Sequence, residues 1–167
     1  MRRLPICLRL AWVVGWLFLS FGVSSAASVD RIDAVVLEVI DGDTVQLTDG
    51  TVVRYRGINT PEVRRKVGRR WVYDPQPYAL EAKTLNSTWV EGKAVRLEVD
   101  PSESHDKYGR LLAAVFVDSR FVNAALVEAG LARVFRRSQR GPHGDTLDQA
   151  EASAKRHQLG IWSEKKR

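Results

Sequence analysis

With 167 residues, 44% of them apolar and 28% charged, the chain can bury one core and stay soluble, which fits a single domain. The formal net charge of +6 and a pI near 9.8 favour a polyanionic partner, nucleic acid or an anionic membrane surface. Three of the 26 basic side chains (Arg2, Arg3 and Arg9) lie in the first 27 residues with no acid beside them, so 23 remain against 20 acidic groups and composition alone cannot name the partner.

Residues 1–27 read as a secretory signal. A basic start precedes the apolar run Ala11 to Val23, and Ser24, Ser25, Ala26 and Ala27 offer cleavage after Ala26 or Ala27. The run is shorter than the ~20 apolar residues of a spanning helix; the alternative is an uncleaved anchor. The expected location is secreted or periplasmic. Cys7, the only cysteine, lies in this segment without the small preceding residue of a lipoprotein site. The mature chain therefore has no thiol, forms no disulfide and depends on packing.

Residues 28–167 read as one compact domain, with no repeat, long linker or low-complexity tract. Ala34 to Ile40, Thr44 to Thr48 and Thr51 to Arg56 are β-branched or alternating segments separated by Asp41-Gly42 and Asp49-Gly50, the pattern of a three-stranded meander. Asn59 to about Pro77 reads as an irregular, functional or mobile loop. Tyr78 to Val90 has helical spacing at Ala79, Ala82, Leu85 and Trp89, and Gly92 closes it. Two strands follow, at Ala94 to Val99 and Leu111 to Val117. Phe121 to Glu128 then predicts a helix ending at Gly130, and Asp145 to His157 another, with Asp145 or Thr146 as its cap. The order predicts an α+β protein: a five-stranded OB-type β-barrel with about three helices.

Three separated segments carry chemistry: Ile40-Asp41-Gly42-Asp43-Thr44, Arg54 to Glu62, and Asp106-Lys107-Tyr108-Gly109-Arg110. Phosphodiester hydrolysis needs oxygen ligands for a hard cation, arginine forks for the phosphate, and a carboxylate for the attacking water. Asp43, Asn59, Glu62, Arg54 and Arg110 supply that inventory. Each segment also has a plainer reading: an ordinary hairpin turn, a solvated edge arginine, a turn at Thr60-Pro61-Glu62, a basic loop.

In order, spacing and wording the three segments resemble the thermonuclease (staphylococcal-nuclease-like) family. The resemblance continues through Asn123 to Val127 and Gly130-Leu131-Ala132 to Gly160-Ile161-Trp162-Ser163, covering residues 33 to 163. It implies a Ca²⁺-dependent endonuclease that cleaves DNA and RNA with little sequence preference and leaves 3′-phosphates. It also implies Asp43, Asn59 and the Thr60 carbonyl as metal ligands, and Glu62 as the base or water-orienting group. Arg54 and Arg110 become phosphate clamps, and Lys107 and Tyr108 contacts to a neighbouring terminal phosphate. No protein partner is implied, a membrane enters only through an uncleaved signal segment, and the size fits a monomer.

Asn59 departs from the family, which normally has Asp there. An amide oxygen still coordinates Ca²⁺ but brings no charge, so weaker metal binding is expected. After Arg133 the chain has Phe135, Arg136, Arg137 and Ser138 where tyrosines flank the base in the best-matched member. Phe135 reads as a core candidate and Arg136 as a stacking one. Arg64, Arg65, Lys66, Arg69 and Arg70 read as a phosphate-tracking or merely solvated loop. His105, His143 and His157 have no zinc-site spacing and read as surface residues. The sequon Asn86-Ser87-Thr88 falls inside a predicted helix. The competing functions are a non-catalytic nucleic-acid-binding OB module and, well behind it, an anchored protein that binds anionic lipid.

Overall fold

The computed structural model describes residues 29–135 and 141–163. The signal or anchor segment and Arg136, Arg137 and Ser138 lie outside the described residues. Among those described, no helix is long and apolar enough to cross a membrane.

The elements run β1 (Asp30–Asp41), β2 (Thr44–Leu47), β3 (Val52–Tyr55), β4 (Ile58–Asn59), β5 (Arg64–Val67), β6 (Arg70–Tyr73), α1 (Ala79–Val90) and β7 (Ala94–Val99). After these come β8 (Leu111–Val117), β9 (Arg120–Phe121), α2 (Val122–Glu128), β10 (Arg133–Val134) and α3 (Gly144–Arg156). Strands pair in the order β3-β2-β1-β7-β8, and a parallel pairing of β3 with β8 closes the ring. The result is the expected five-stranded barrel, with three α-helices among the described residues.

Closure depends on β1, which starts earlier than its apolar run suggests. Residues 30–35 pair with β7 and residues 36–41 with β2, so one strand serves two neighbours. Register shifts between Val36 and Glu38 and between Val39 and Asp41 bend it, as bulges do in barrel strands. They also explain why the buried residues Val36 and Val39 stand three apart instead of two. Inside, Val36, Val39, Val45, Val53, Val95 and Val99 from β1, β2, β3 and β7 meet Leu97, Val115, Leu126 and Leu147, all buried. Each such side chain contributes about 1.5–3 kcal/mol on burial.

The segment after Asn59 is more ordered than its prolines and cations suggest. It holds a hairpin, β5–β6, turning at Gly68 with φ +61°. Tight hairpins use this left-handed glycine, and Val67, Trp71, Val72 and Tyr73 supply strand propensity. α3 begins at Gly144 out of a short 3-10 turn over 141–143, so Asp145 and Thr146 lie in its first turn and do not cap it. Phe135 is 44% exposed and is not a core residue. Gly130 does end α2, with φ +71°, and its backbone packs against Leu159 so closely that an added Cβ would meet the Leu159 carbonyl at 2.2 Å.

Candidate active site

Asp43 sits in the turn between β1 and β2 with its side chain fully buried. A buried carboxylate needs partners on both oxygens. Oδ1 receives Nη1 of Arg54 and, at 3.2 Å, the Thr44 hydroxyl, while Oδ2 accepts the Thr60 amide at 2.7 Å. Burial pushes the Asp43 carboxyl up from its ordinary value, and Arg54 and the Thr60 amide pull against that. The pairing of Thr44 with Arg54 in the β2–β3 ladder sets the arginine over the turn. Its side chain is only 14% exposed, so it is no solvated edge charge.

Asn59 completes this group. Its Oδ1 accepts Arg54 Nη2 at 2.6 Å, and its Nδ2 donates to the Thr60 carbonyl at 3.3 Å. β4 is held by β10, which pairs Arg133 with Asn59, and β10 is held by α3, where Glu151 accepts the Val134 amide at 2.9 Å. Behind the turn, Asn86 of α1 donates to the Gly42 carbonyl at 3.1 Å and accepts the Tyr55 hydroxyl at 3.0 Å. Gly42 leaves no space for a side chain: a Cβ there would lie 2.7 Å from Thr60 Oγ1 and 2.8 Å from Ala82 Cβ. Asn86 is wholly buried, so the sequon is a structural asparagine and not a glycan site.

Glu62 follows on the same edge. Burial first, then a hydrogen bond with Asp41 and the negative charges of Asp41 and Asp43, push it up to about 7 against the pull of Arg54. A carboxylate so placed accepts a proton more readily than a surface glutamate.

The third segment is a tight loop organised by Asp106. Its Oδ1 accepts the amides of Tyr108 at 2.8 Å and Arg110 at 3.0 Å, while Oδ2 takes Arg110 Nε and Nη2, both at 2.7 Å. Burial works against the Asp106 charge, but these donors outweigh it and hold the carboxyl below its usual range. Arg110 is thereby aimed and Tyr108 left outside, with the guanidinium of Arg110 5.5 Å from its ring centre.

The three segments converge. Arg54, Lys107, Tyr108 and Arg110 line one cleft of about 430 Å³, and Asp41, Arg54, Glu62 and Arg110 line an adjoining one of about 220 Å³. Among the described residues no three His, Cys, Asp or Glu side chains form a metal cluster. The donor set still suits a hard cation, because Asp43 Oδ1 and Asn59 Oδ1 already converge on one positive centre, the Arg54 guanidinium.

A sequence model described as "Staphylococcal nuclease homologue" matches residues 52–164. The chain belongs to this family. SPbeta prophage-derived endonuclease YokF of Bacillus subtilis is 36% identical over 138 residues, 80% of this chain and 45% of that protein. Endonuclease YncB of the same organism is 35% identical over 138 residues, 79% of this chain and 62% of that protein. Thermonuclease of Staphylococcus intermedius is 35% identical over 141 residues, 83% of this chain and 80% of that protein. The chain thus spans about half the length of the two Bacillus relatives.

Within this staphylococcal nuclease homologue, sequence reasoning missed two participants. Asp41 was read as turn chemistry, yet it lies against Glu62; only its place two residues before Asp43 hinted at that. Asp106 was a motif letter without a role, and an acid four residues before an arginine was the available signal. His143 also differs from its reading. It is partly buried, with Nε2 2.9 Å from Glu98 and its ring against Phe116 and Phe121, outside this site.

Proposed function

We propose that the chain is an exported nuclease that hydrolyses phosphodiester bonds of DNA and RNA with little sequence preference and with Ca²⁺. The carrying observation is the convergence of Arg54, Arg110 and Glu62 on one cleft beside the buried Asp43. Two arginine forks and a carboxylate of raised basicity on one wall fit a phosphate diester and an attacking water. Asp43, Asn59 Oδ1 and the Thr60 carbonyl are the residues that would hold the cation. When bound, a divalent ion supplies Lewis-acid polarisation of the phosphoryl oxygen and eases loss of a proton from water.

Glu62 orients that water and takes its proton as the water oxygen bonds to phosphorus and the bond to one sugar oxygen breaks, that oxygen taking a proton from solvent to leave as a hydroxyl. Arg110 and Arg54 stabilise the charge that builds on the equatorial oxygens, and Lys107 and Tyr108 contact the adjoining phosphate. The arginines and the carboxylate that converge here address a phosphate and a water and not a base edge, in keeping with the proposed lack of sequence preference. Asn59 offers a neutral oxygen at the second ligand position, which lowers the affinity for the ion.

Hydrolysis of single-stranded DNA and of RNA, titrated with Ca²⁺ against EDTA, tests this, with Arg110→Ala guarding against contaminating nuclease. Cleavage that needs Ca²⁺ and is lost in the variant supports the reading. A folded protein that binds nucleic acid but cuts none at high Ca²⁺ is the binding module instead. Export with cleavage after Ala26 or Ala27 predicts an extracytoplasmic protein whose first residue is Ala27 or Ser28, and N-terminal sequencing checks it. A monomer in solution is the accompanying expectation.

A further inference from the structure

The hairpin β5–β6 carries chemistry that the hydrolytic cleft does not use. Its register pairs Arg64 with Tyr73 and Lys66 with Trp71. Directly paired residues share a face in an antiparallel ribbon, and so do residues two apart along a strand. One face therefore presents two cations and two aromatics, Arg64, Lys66, Trp71 and Tyr73. Trp71 is 65% exposed and Tyr73 64%. Among the described residues neither Arg64 nor Lys66 has an ion-pair partner, whereas Arg65, on the other face, is tied to Asp74 at 2.7 Å.

Large rings left in water need a reason, because burying one is worth more than almost any other contact. Their position supplies it. Arg64, Lys66 and Trp71 line a groove of about 840 Å³ together with Arg65, Tyr108 and Arg110. Trp71 also lines the smaller cleft with Glu62 and Arg54, so the aromatic face is continuous with the catalytic wall.

We infer that this face is a stacking platform for the bases of single-stranded nucleic acid, with Trp71 as its principal contact and Arg64 and Lys66 tracking the phosphates. The inference rests on the reading of the adjoining cleft as a phosphodiester site. Alternating cations and aromatics match a polymer of alternating phosphates and rings, which an acidic peptide or a lipid surface does not present. A duplex keeps its base faces stacked on one another, so only an unpaired strand can offer them to Trp71. Arg64 and Lys66 serve either form, since both carry phosphates. Trp71 thus separates single strand from duplex.

The test is binding in EDTA, where a metal-dependent enzyme leaves the probe intact. A dye-labelled single-stranded oligonucleotide and a fully paired hairpin of the same length are titrated by anisotropy with wild type, Trp71→Ala and Trp71→Phe. Loss of one stacked base predicts a roughly 5- to 150-fold weaker single-strand affinity for Trp71→Ala. Trp71→Phe recovers most of the loss, and duplex affinity changes little. Lys66→Ala lowers the salt slope for the single strand by about 0.7.

Unchanged single-strand affinity in Trp71→Ala overturns the inference, as does an equal loss for both probes. Hydrolysis is read separately. If wild type cuts while Trp71→Ala binds normally, the platform falls and the nuclease stands. If wild type binds single strands through Trp71 but cuts nothing, the platform stands and the nuclease falls.

Discussion

Asp106→Asn removes one charge and keeps the shape of the loop that aims Arg110. The Asn oxygen can still accept the amides of Tyr108 and Arg110, which Asp106 Oδ1 holds at 2.8 and 3.0 Å. The turn should survive. Its NH₂, however, replaces Oδ2 and meets Nε and Nη2 of Arg110, which now stand at 2.7 Å, donor against donor. The guanidinium must swing away. Hydrogen bonds to charged groups are worth ~1.5–3 kcal/mol, but with Asp106 16% and Arg110 30% exposed, water recovers part of it. A stability loss of about 1–2 kcal/mol is expected. Misaiming a phosphate clamp by about an ångström predicts a roughly 10- to 100-fold lower kcat.

The pH dependence of that stability difference has a fixed sign. Asp106 is held below its usual range, so its contribution is complete above the unfolded value of about 3.9 and fades as pH falls through the lower folded value. The gap in Tm between wild type and Asp106→Asn is therefore full at neutral pH and closes in acid. Steady-state hydrolysis and thermal melts from pH 7 to 3 measure both effects. A variant with kcat within twofold of wild type, beside an inactive Arg110→Ala, would refute the clamp. So would a Tm gap that widens in acid.

Asn59→Asp adds a negative charge beside Asp43; a unit pair is worth about 4 kcal/mol gross at an effective dielectric of 20, largely offset by a stronger hold on Arg54, so half-saturating Ca²⁺ should fall roughly 5- to 100-fold. Equal Ca²⁺ curves would show that the amide costs nothing. Gly42→Ala forces a methyl against Thr60 and Ala82, and chemical denaturation should find it less stable by about 1–3 kcal/mol. Asn86→Leu orphans the buried Tyr55 hydroxyl and the Gly42 carbonyl, with a loss of about 1–3 kcal/mol for each. Melts that match wild type would remove both groups from the support of the turn.

Strand propensity and Asp-Gly turns made the barrel legible, because the residues of β2, β3, β7 and β8 express the local rule that also governs their packing. The hairpin was not legible. In Arg64 to Tyr73 the charge run masks a strand pattern whose two faces are both exposed, so hydrophobic alternation has nothing to report. The bend in β1 was hidden for a different reason: bulges answer to the neighbouring strands, which sequence periodicity does not contain. The side chains that come together around the cleft were legible where a motif fixed both type and spacing, as at Asp43, Arg54 and Arg110. Asp41 and Asp106 were obscured by their turns, since a turn aspartate explains itself locally and invites no further role.

Arg54 carries a constraint that spans fold and chemistry. One guanidinium nitrogen holds the buried Asp43 and the other holds Asn59, so both are committed while the arginine rests there. Releasing Asp43 with nothing in exchange would leave a buried, uncompensated carboxylate, a penalty of about 3–5 kcal/mol. Anything that turns Arg54 toward a phosphate must therefore bring positive charge to the same oxygens at the same time. Arg110 is under no such constraint, because its counter-ion travels with its own loop and leaves part of the fork exposed. The two arginines are thus unequal: Arg110 is aimed before any ligand arrives, and Arg54 becomes available only when Asp43 has another partner. That inequality ties the charge balance of the barrel's interior to the readiness of its surface.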